Sequence, residues 1–132
     1  MLLNPYLTFN GQCEAALKFY ETSLGGKTVF KMTWGEAPMA KDVPQEHHGK
    51  ILHARFTVGN NVLMACDAPP DRYEPSKGFN ITIGIEEPAE AERIFKALSE
   101  GGAIRMPMEL VCCAVRLQRL TARTTVSFIW AD

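Results

Sequence analysis

The sequence predicts an α+β fold made of two β-α-β-β-β modules that form a curved, mostly antiparallel sheet around a concavity. The first observation is an internal repeat: after a shift of 76 positions, seven of the 23 residues from position 4 to position 26 are identical. The second is that both matched segments have the same order of elements: an extended run, then an amphipathic helical run, then a Gly-Gly pair. The identical pairs are Asn4 and Asn80, Glu14 and Glu90, Ala15 and Ala91, Phe19 and Phe95, Ser23 and Ser99, Gly25 and Gly101, and Gly26 and Gly102.

Module one reads strand, helix, strand, strand, strand. The run NPYLTF has strand composition, and ALKFYETSLGG is an amphipathic helix that stops at Gly25–Gly26, because glycine takes the left-handed C-cap conformation without penalty. A polar loop over Gly35–Gly49 and a Gly-Asn-Asn hairpin turn separate the remaining strands. We expect those strands at Lys27–Thr33, Ile51–Val58 and Val62–Asp67.

Module two repeats the pattern after a proline-rich linker. We place module one at about 1–67, the linker at 68–77 and module two at about 78–132, all within a single domain. NITIGI is the first strand of the second copy, and Pro88 suits the first turn of its helix. The later strands are predicted at Ala103–Met108, Leu110–Leu117 and Thr124–Trp130.

Composition excludes several classes of protein. With 14 basic and 15 acidic residues the net charge is −1. The protein therefore lacks the broad positive electrostatic potential that would attract nucleic acid or an acidic membrane. No apolar run reaches the roughly 18 residues that span a bilayer, and the N-terminal segment does not resemble a secretory signal. We therefore expect a cytoplasmic protein whose four cysteines, Cys13, Cys66, Cys112 and Cys113, are reduced thiols.

The composition changes abruptly in the last part of the chain. From position 111 to position 131 there is no Gly, Pro, Asp or Glu, and the only charged residues are Arg116, Arg119 and Arg123. Two explanations stay open, a diverged tail and a change of reading frame in the gene. Either one puts the last two strands of module two, and any residue they contribute to a site, in doubt.

Several motifs, in order and at matching spacing, resemble the PhnB-like branch of the vicinal oxygen chelate superfamily, which includes glyoxalase I and bleomycin-resistance proteins. These motifs are NPYLTFNGQCEAALKFYETSLGGK, Trp34-Gly-Glu-Ala-Pro38, Ile51-Leu-His-Ala54 and Leu63-Met-Ala-Cys-Asp67. The resemblance covers about residues 3–109. It implies a homodimer and a ligand cavity between the modules, and this branch also carries the name 3-demethylubiquinone-9 3-methyltransferase.

Metal-dependent relatives hold a divalent ion with His and Glu from the first and last strands of each module. Carried over to this sequence, those positions fall on Asn4 or Pro5, on Met64, on Asn80 and on one residue of the altered tail. Amide and thioether groups are poor ligands for zinc, nickel or magnesium. We therefore expect no metal and no cofactor.

The polar and aromatic candidates for a ligand site each have a structural alternative. His53 lies within a strand, where it could act as an acid-base or anchor a ligand oxygen, or simply bond to a neighbouring strand. His47 and His48 are expected in a solvated loop. Trp34 and Met64 could line an apolar pocket or belong to the core. Asn4 and Asn80 could fix a polar ligand group or cap their strands.

Three functions remain open on these residues. The favoured one is a metal-free small-molecule binding protein with the candidate contacts Asn4, Trp34, His53, Met64 and Asn80. The second is a lyase or isomerase-type enzyme assisted by His53 or by a metal. The third is a structural or regulatory dimer without a ligand. A methyltransferase is not expected, because both Gly-Gly pairs follow helices instead of forming a phosphate or nucleoside cradle before one.

Overall fold

The structure is a computed structural model that describes residues 1–106, 118–121 and 127–130. The chain divides into two compact units, Met1–Pro75 and Ser76–Asp132. Each unit carries strands and one helix in the order β-α-β-β-β, so the predicted α+β fold class and its repeat are confirmed. The placement of both modules in a single domain stays a prediction.

The first unit has a four-stranded sheet with one helix. Its elements are β1 (Tyr6–Phe9), α1 (Cys13–Leu24), β2 (Lys27–Thr33), β3 (Ile51–Val58) and β4 (Asn61–Asp67). The strand order is β1-β4-β3-β2, in which β1 runs parallel to β4 and the other two pairs are antiparallel. The strands β2 and β3 have the predicted bounds, because clear turn signals delimit both and apolar and polar residues alternate along most of β3.

Helix α1 packs on one face of this sheet through Cys13, Ala16, Leu17 and Tyr20, which are at most 2% exposed. It ends as predicted at Gly25, whose φ of 70° places it in the left-handed region. The next glycine has a different role. A Cβ on Gly26 would lie 2.4 Å from the carbonyl oxygen of Thr57, so only glycine allows this close approach to β3.

The second unit repeats the arrangement. Its elements are β5 (Ile81–Ile83), α2 (Pro88–Ser99), β6 (Ala103–Met106), β7 (Gln118–Thr121) and β8 (Ser127–Trp130), in the sheet order β5-β8-β7-β6. Ala91, Ile94 and Leu98 form the buried stripe of α2. The predicted strand Leu110–Leu117 lies outside the described residues and stays a prediction.

The segment between β2 and β3 is a series of short 3-10 turns that packs more tightly than a solvated loop. His47 is only 5% exposed and its ring lies 5.7 Å from that of Trp34. His48 donates from Nε2 to the carbonyl oxygens of Ala40 and Val43, at 2.8 and 3.2 Å. The expectation of two solvated histidines is therefore wrong. Turns that fold back on themselves bury side chains that a polar composition would leave in water.

The two cysteines among the described residues, Cys13 and Cys66, are both free thiols. Cys13 opens α1 and is fully buried. Burial, followed by the carboxylate of Asp67, raises the pKa of the Cys13 thiol. Cys13 therefore packs as a small buried hydrophobe. Cys112 and Cys113 lie outside the described residues.

Neither helix among residues 1–106, 118–121 and 127–130 meets the length and hydropathy that a bilayer crossing requires. Each has 12 residues, against the roughly 20 needed to cross the hydrocarbon core.

Candidate functional site on the first sheet

The two faces of the first sheet differ in what covers them. Side chains alternate between faces along each strand, so the strand register assigns every residue to one face. The face against α1, called here the covered face, has six residues that are at most 3% exposed: Leu7, Phe9, Ala54, Phe56, Ala65 and Asp67. The opposite face, called here the open face, continues through Lys27, Thr57 and Val62 at one end and has eight central residues: Tyr6, Thr8, Phe30, Met32, His53, Arg55, Met64 and Cys66. None of these eight side chains is fully buried.

The open face is laid out in two rows across the strands. In the first row Phe30, Arg55, Met64 and Tyr6 are successive register partners on β2, β3, β4 and β1. In the second row Met32 pairs with His53, and Cys66 pairs with Thr8. Apolar and aromatic groups thus surround a small number of polar ones. That mixture is typical of sites for small molecules.

The polar centre of the open face is a pair formed by Tyr6 and His53. The Tyr6 hydroxyl lies 2.9 Å from Nδ1 of His53, and the ring centroids are 5.6 Å apart. The Phe30 ring stands 5.9 Å from the other flank of the imidazole. Burial of the phenol, followed by the neighbouring sulfur of Cys66, raises the pKa of Tyr6 well above its ordinary value. Tyr6 is therefore a neutral phenol at physiological pH.

A neutral phenol can donate or accept a hydrogen bond, so the contact with His53 is compatible with two tautomers. When the Tyr6 hydroxyl donates to Nδ1, Nε2 carries the proton; when Nδ1–H donates to the phenol oxygen, Nε2 is an acceptor. Nε2 has no hydrogen-bond partner among the described residues. His53 is thus held in orientation by one nitrogen, and its other nitrogen is left for a ligand. Beside the pair, the Cys66 thiol donates weakly to Oγ1 of Thr8 at 3.9 Å.

A buried carboxylate on the covered face fixes the strands that carry this pair. Oδ1 of Asp67 accepts from the backbone N–H of Cys13 at 2.9 Å, and Oδ2 accepts from that of Ile51 at 3.0 Å. Gln12, at the N-cap of α1, makes no side-chain capping bond, so Asp67 supplies a cap from the end of β4. One side chain therefore connects the end of β4, the start of α1 and the start of β3.

Among the residues predicted for the site, His53 and Met64 lie together on the open face. Asn4 is half-buried two positions before Tyr6, ahead of β1. Trp34 is 9% exposed, and its indole N–H donates to the carbonyl oxygen of Asp67 at 3.0 Å, so its contacts here are those of a core residue. Asn80 is exposed just before β5 in the second unit.

Tyr6, Arg55 and Cys66 were not among the residues predicted for the site. Their signal lies in the strand alternation: positions 6 and 8, 53 and 55, and 64 and 66 share a face once the register is known. Asp67 was quoted only as part of a motif. A single acidic residue at the end of an apolar strand is a sign that its carboxylate is buried and caps a helix. The partners of such a residue are remote in sequence.

The donor set at the expected metal positions does not fit a hard divalent ion. Asn4 offers a neutral amide and Met64 a soft thioether, and a phenol with a raised pKa is a poor anionic ligand. Among the described residues no three His, Cys, Asp or Glu side chains come together as a metal site. These residues therefore do not form a binding site suited to a hard divalent metal ion.

A groove elsewhere on the first unit runs between α1 and β2. It is lined by Glu14, Leu17, Lys18, Glu21, Thr28, Val29, Phe30 and Lys31. Most of its polar groups already bind each other. Lys31 lies 2.8 Å from Oε1 of Glu14, and Oε1 of Glu21 accepts from the Thr28 N–H at 2.7 Å. Fewer groups are left for a ligand here than on the open face.

Comparison with known proteins identifies the family. A family model described as 3-demethylubiquinone-9 3-methyltransferase matches residues 2–118. Protein YjdN of Escherichia coli strain K12 is 29% identical over 114 residues, covering 80% of this chain and 78% of YjdN. A crystal structure of a Pseudomonas aeruginosa protein is 37% identical with a TM-score of 0.88, covering 99% of this chain and 96% of that one.

More distant structures share the fold. The PhnB protein of Bacillus cereus has a TM-score of 0.81 at 20% identity, covering 99% of this chain and 98% of its own. A glyoxalase family protein of Enterococcus faecalis and the fosfomycin resistance protein FosX of Mesorhizobium loti are 12% and 14% identical. Such identities are evidence of the fold alone.

The methyltransferase description is a label of the family. The Gly25–Gly26 pair ends α1 and contacts β3, so it does not form a cofactor-binding loop before a helix. The matched model, the Pseudomonas structure and the repeated β-α-β-β-β plan agree with the motifs found in the sequence. The chain belongs to the PhnB-like family, whose model carries that description.

Proposed function

We propose that this protein binds a small molecule, without a metal, on the open face of its first sheet. The observation that carries the proposal is the Tyr6–His53 pair, a 2.9 Å hydrogen bond set among half-exposed apolar side chains that α1 does not cover. Asn4 borders this face in sequence, and Met64 lies in it. Trp34 and Asn80 remain predicted contacts.

The partial exposure of this face supports binding over a purely structural role. Phe30 and Tyr6 are each 46% exposed, although both are large aromatic residues. Exposed aromatic groups beside an ordered polar pair can contact a ligand over a wide area with little loss of their own freedom. The covered face contributes the rigid support, because its residues are packed and its carboxylate is satisfied.

The test is ligand-observed NMR with four simple aromatic probes: benzyl alcohol, benzamide, benzoate and phenylphosphonate. We expect saturation transfer from the full chain to at least one probe, and a clear loss in Phe30→Ala. Met39→Ala is the matched control, because Met39 is also 46% exposed but lies outside the open face. The proposal fails if no probe receives saturation, or if both variants reduce the signal equally.

A second candidate function is a lyase or isomerase-type reaction assisted by His53. The same Tyr6–His53 contact favours it: when Nδ1–H donates to the phenol oxygen, Nε2 is unprotonated and can take a proton from a carbon next to a carbonyl. The minimal signature is exchange of the α-protons of phenylpyruvate in D₂O, measured by NMR and lost in His53→Asn. Exchange no faster than in buffer would contradict this candidate.

Two broader features complete the proposal, a homodimer and a cytoplasmic location. Val29 and Phe30 on the edge strand β2 are each 46% exposed, and exposed apolar residues on an edge are suited to pairing with a second copy. Sedimentation at micromolar concentration tests the dimer, and a folded monomer there would contradict it.

The two free thiols fit a reducing compartment, which fractionation of cells expressing the chain would test.

A further inference from the structure

The centre of the open face carries a positive charge without an ion pair. Arg55 sits in its first row, between its register partners Phe30 and Met64. None of the eight central residues is acidic, and within the described part of the chain Arg55 forms no ion pair. Lys27 adds a second basic group at the end of this face, in register with Thr57.

Arg55 also shares its strand and its face with His53. The two residues are separated by one position on β3, so their side chains stand on the same side of the sheet. The guanidinium is a hydrogen-bond donor, and the free Nε2 of His53 is a second donor in the tautomer in which Tyr6 donates to Nδ1. The face therefore presents donors and a positive charge beside apolar groups, and it presents no anion of its own.

This combination matches a particular ligand chemistry. A carboxylate or phosphonate accepts paired hydrogen bonds from the planar guanidinium fork, and such charge-assisted bonds are stronger than neutral ones. The apolar side chains Phe30 and Met64 on either side of Arg55 favour an aromatic or aliphatic body attached to that anionic group. A neutral ligand would leave the charge of Arg55 without a partner.

We propose that the ligand of the open face is a small organic anion, with Arg55 as its counter-ion and His53 as a second donor. The inference rests on the proposed function and specifies its ligand class. It uses Arg55 as a binding residue and assigns it no chemical step.

The experiment is isothermal titration of the full chain at low salt with benzoate and phenylphosphonate, each against the neutral benzamide. We expect the anionic probes to bind about tenfold more tightly or better, since a charge-assisted hydrogen bond commonly contributes a factor of that size. Comparison of benzoate with phenylphosphonate shows which anionic group the face prefers. Added salt should reduce the preference, because Arg55 is exposed.

The variants separate charge from packing. Arg55→Gln should bring benzoate affinity down to that of benzamide while leaving benzamide unchanged, and Arg55→Lys should restore part of the difference. Arg72→Gln is the matched control, an exposed arginine in a loop away from β3. Circular dichroism and thermal unfolding check that each variant is folded.

The outcomes distinguish this inference from the proposed function. If benzamide and benzoate bind equally, or if Arg55→Gln keeps the preference for anions, the ligand class is wrong and small-molecule binding stands. If none of the probes binds wild-type protein, the proposed function fails and the ligand class fails with it. A preference lost equally in Arg72→Gln would show a general charge effect, which also overturns the role of Arg55.

Discussion

The covered and open faces of the first sheet come from the same four strands, yet they are built differently. On the covered face, residues such as Leu7 and Phe56 are 1% exposed, and the one charged group, Asp67, has both oxygens bonded to backbone N–H groups. On the open face, Tyr6 and Phe30 are each 46% exposed, and donors remain without partners. The covered face is fully packed and stabilises the fold. The open face has side chains without partners, which are available to bind a ligand.

The largest effect is expected from removing the buried carboxylate of the covered face. Asp67→Ala leaves the backbone N–H groups of Cys13 and Ile51 buried without acceptors and removes the charge at the start of α1. We expect a loss of about 2–5 kcal/mol in the free energy of unfolding, measured by urea denaturation. Asp71→Ala, at an exposed carboxylate, should change it by less than about 0.5 kcal/mol. Equal effects in the two variants would contradict the capping role.

Next comes the close approach between the end of α1 and β3. A Cβ on Gly26 would lie 2.4 Å from the Thr57 carbonyl oxygen and 2.5 Å from Cζ of Phe56. Gly26→Ala should therefore destabilise the fold by about 1–3 kcal/mol in the same assay. Gly49 has no atom within 4 Å of such a Cβ, so Gly49→Ala is the control and should be nearly neutral. A neutral Gly26→Ala would show that this contact is loose.

Changes on the open face should cost less stability. Tyr6→Phe removes the hydroxyl that binds His53, and we expect a loss of about 0.5–1.5 kcal/mol at neutral pH. Burial raises the pKa of Tyr6, so the folded state holds this proton more tightly than the unfolded state does. The stability from this group is therefore constant below the unfolded pKa of about 10 and falls as the pH rises above it.

The measurement is urea denaturation at a series of alkaline pH values in wild type and Tyr6→Phe. Wild type should lose stability more steeply above about pH 10, because it must release the proton of Tyr6 on unfolding. Absorbance at the tyrosinate band gives an independent check on the ionisation of Tyr6. Parallel curves for the two proteins would contradict a neutral phenol with a raised pKa at Tyr6.

The smallest effect on stability is expected from the exposed ion pairs that Glu14 of α1 forms with Lys18 and Lys31. The hydrogen bond and charge of Lys31, followed by the charge of Lys18, lower the pKa of Glu14. Stability from this carboxylate is present above its unfolded pKa and is lost as the pH falls through the folded one. Glu14→Gln should cost less than about 0.5 kcal/mol at neutral pH, and less still in high salt. A larger cost, unaffected by salt, would mean that the pair is part of the core.

Much of the fold could be predicted from the sequence because its signals are local. The bounds of β2 and β3 follow from the turn residues around them, and Gly25 ends α1 where its position indicates. The strand Gln118–Thr121 was not predicted, because its residues lack the apolar alternation typical of a half-buried strand. The predicted strand Leu110–Leu117 lies outside the described residues.

The site was harder to predict for the same physical reason. His53 stands out as one polar residue in an apolar strand, but its partner Tyr6 is 47 positions away and on another strand. Asp67 binds a backbone N–H that lies 54 positions away. The parallel pairing of β1 with β4, which brings these residues together, has no local sequence signal comparable to a hairpin turn.

The central claim, that a small molecule binds the open face, is tested most directly by methionine methyl NMR. Met32 and Met64 lie on that face, while Met39 is exposed elsewhere, so one ¹³C-methyl-labelled sample contains both the reporters and a control. On titration with benzoate or phenylphosphonate we expect the Met32 and Met64 signals to shift together and the Met39 signal to stay in place. Shifts at Met39 with none at Met32 and Met64 would contradict the account.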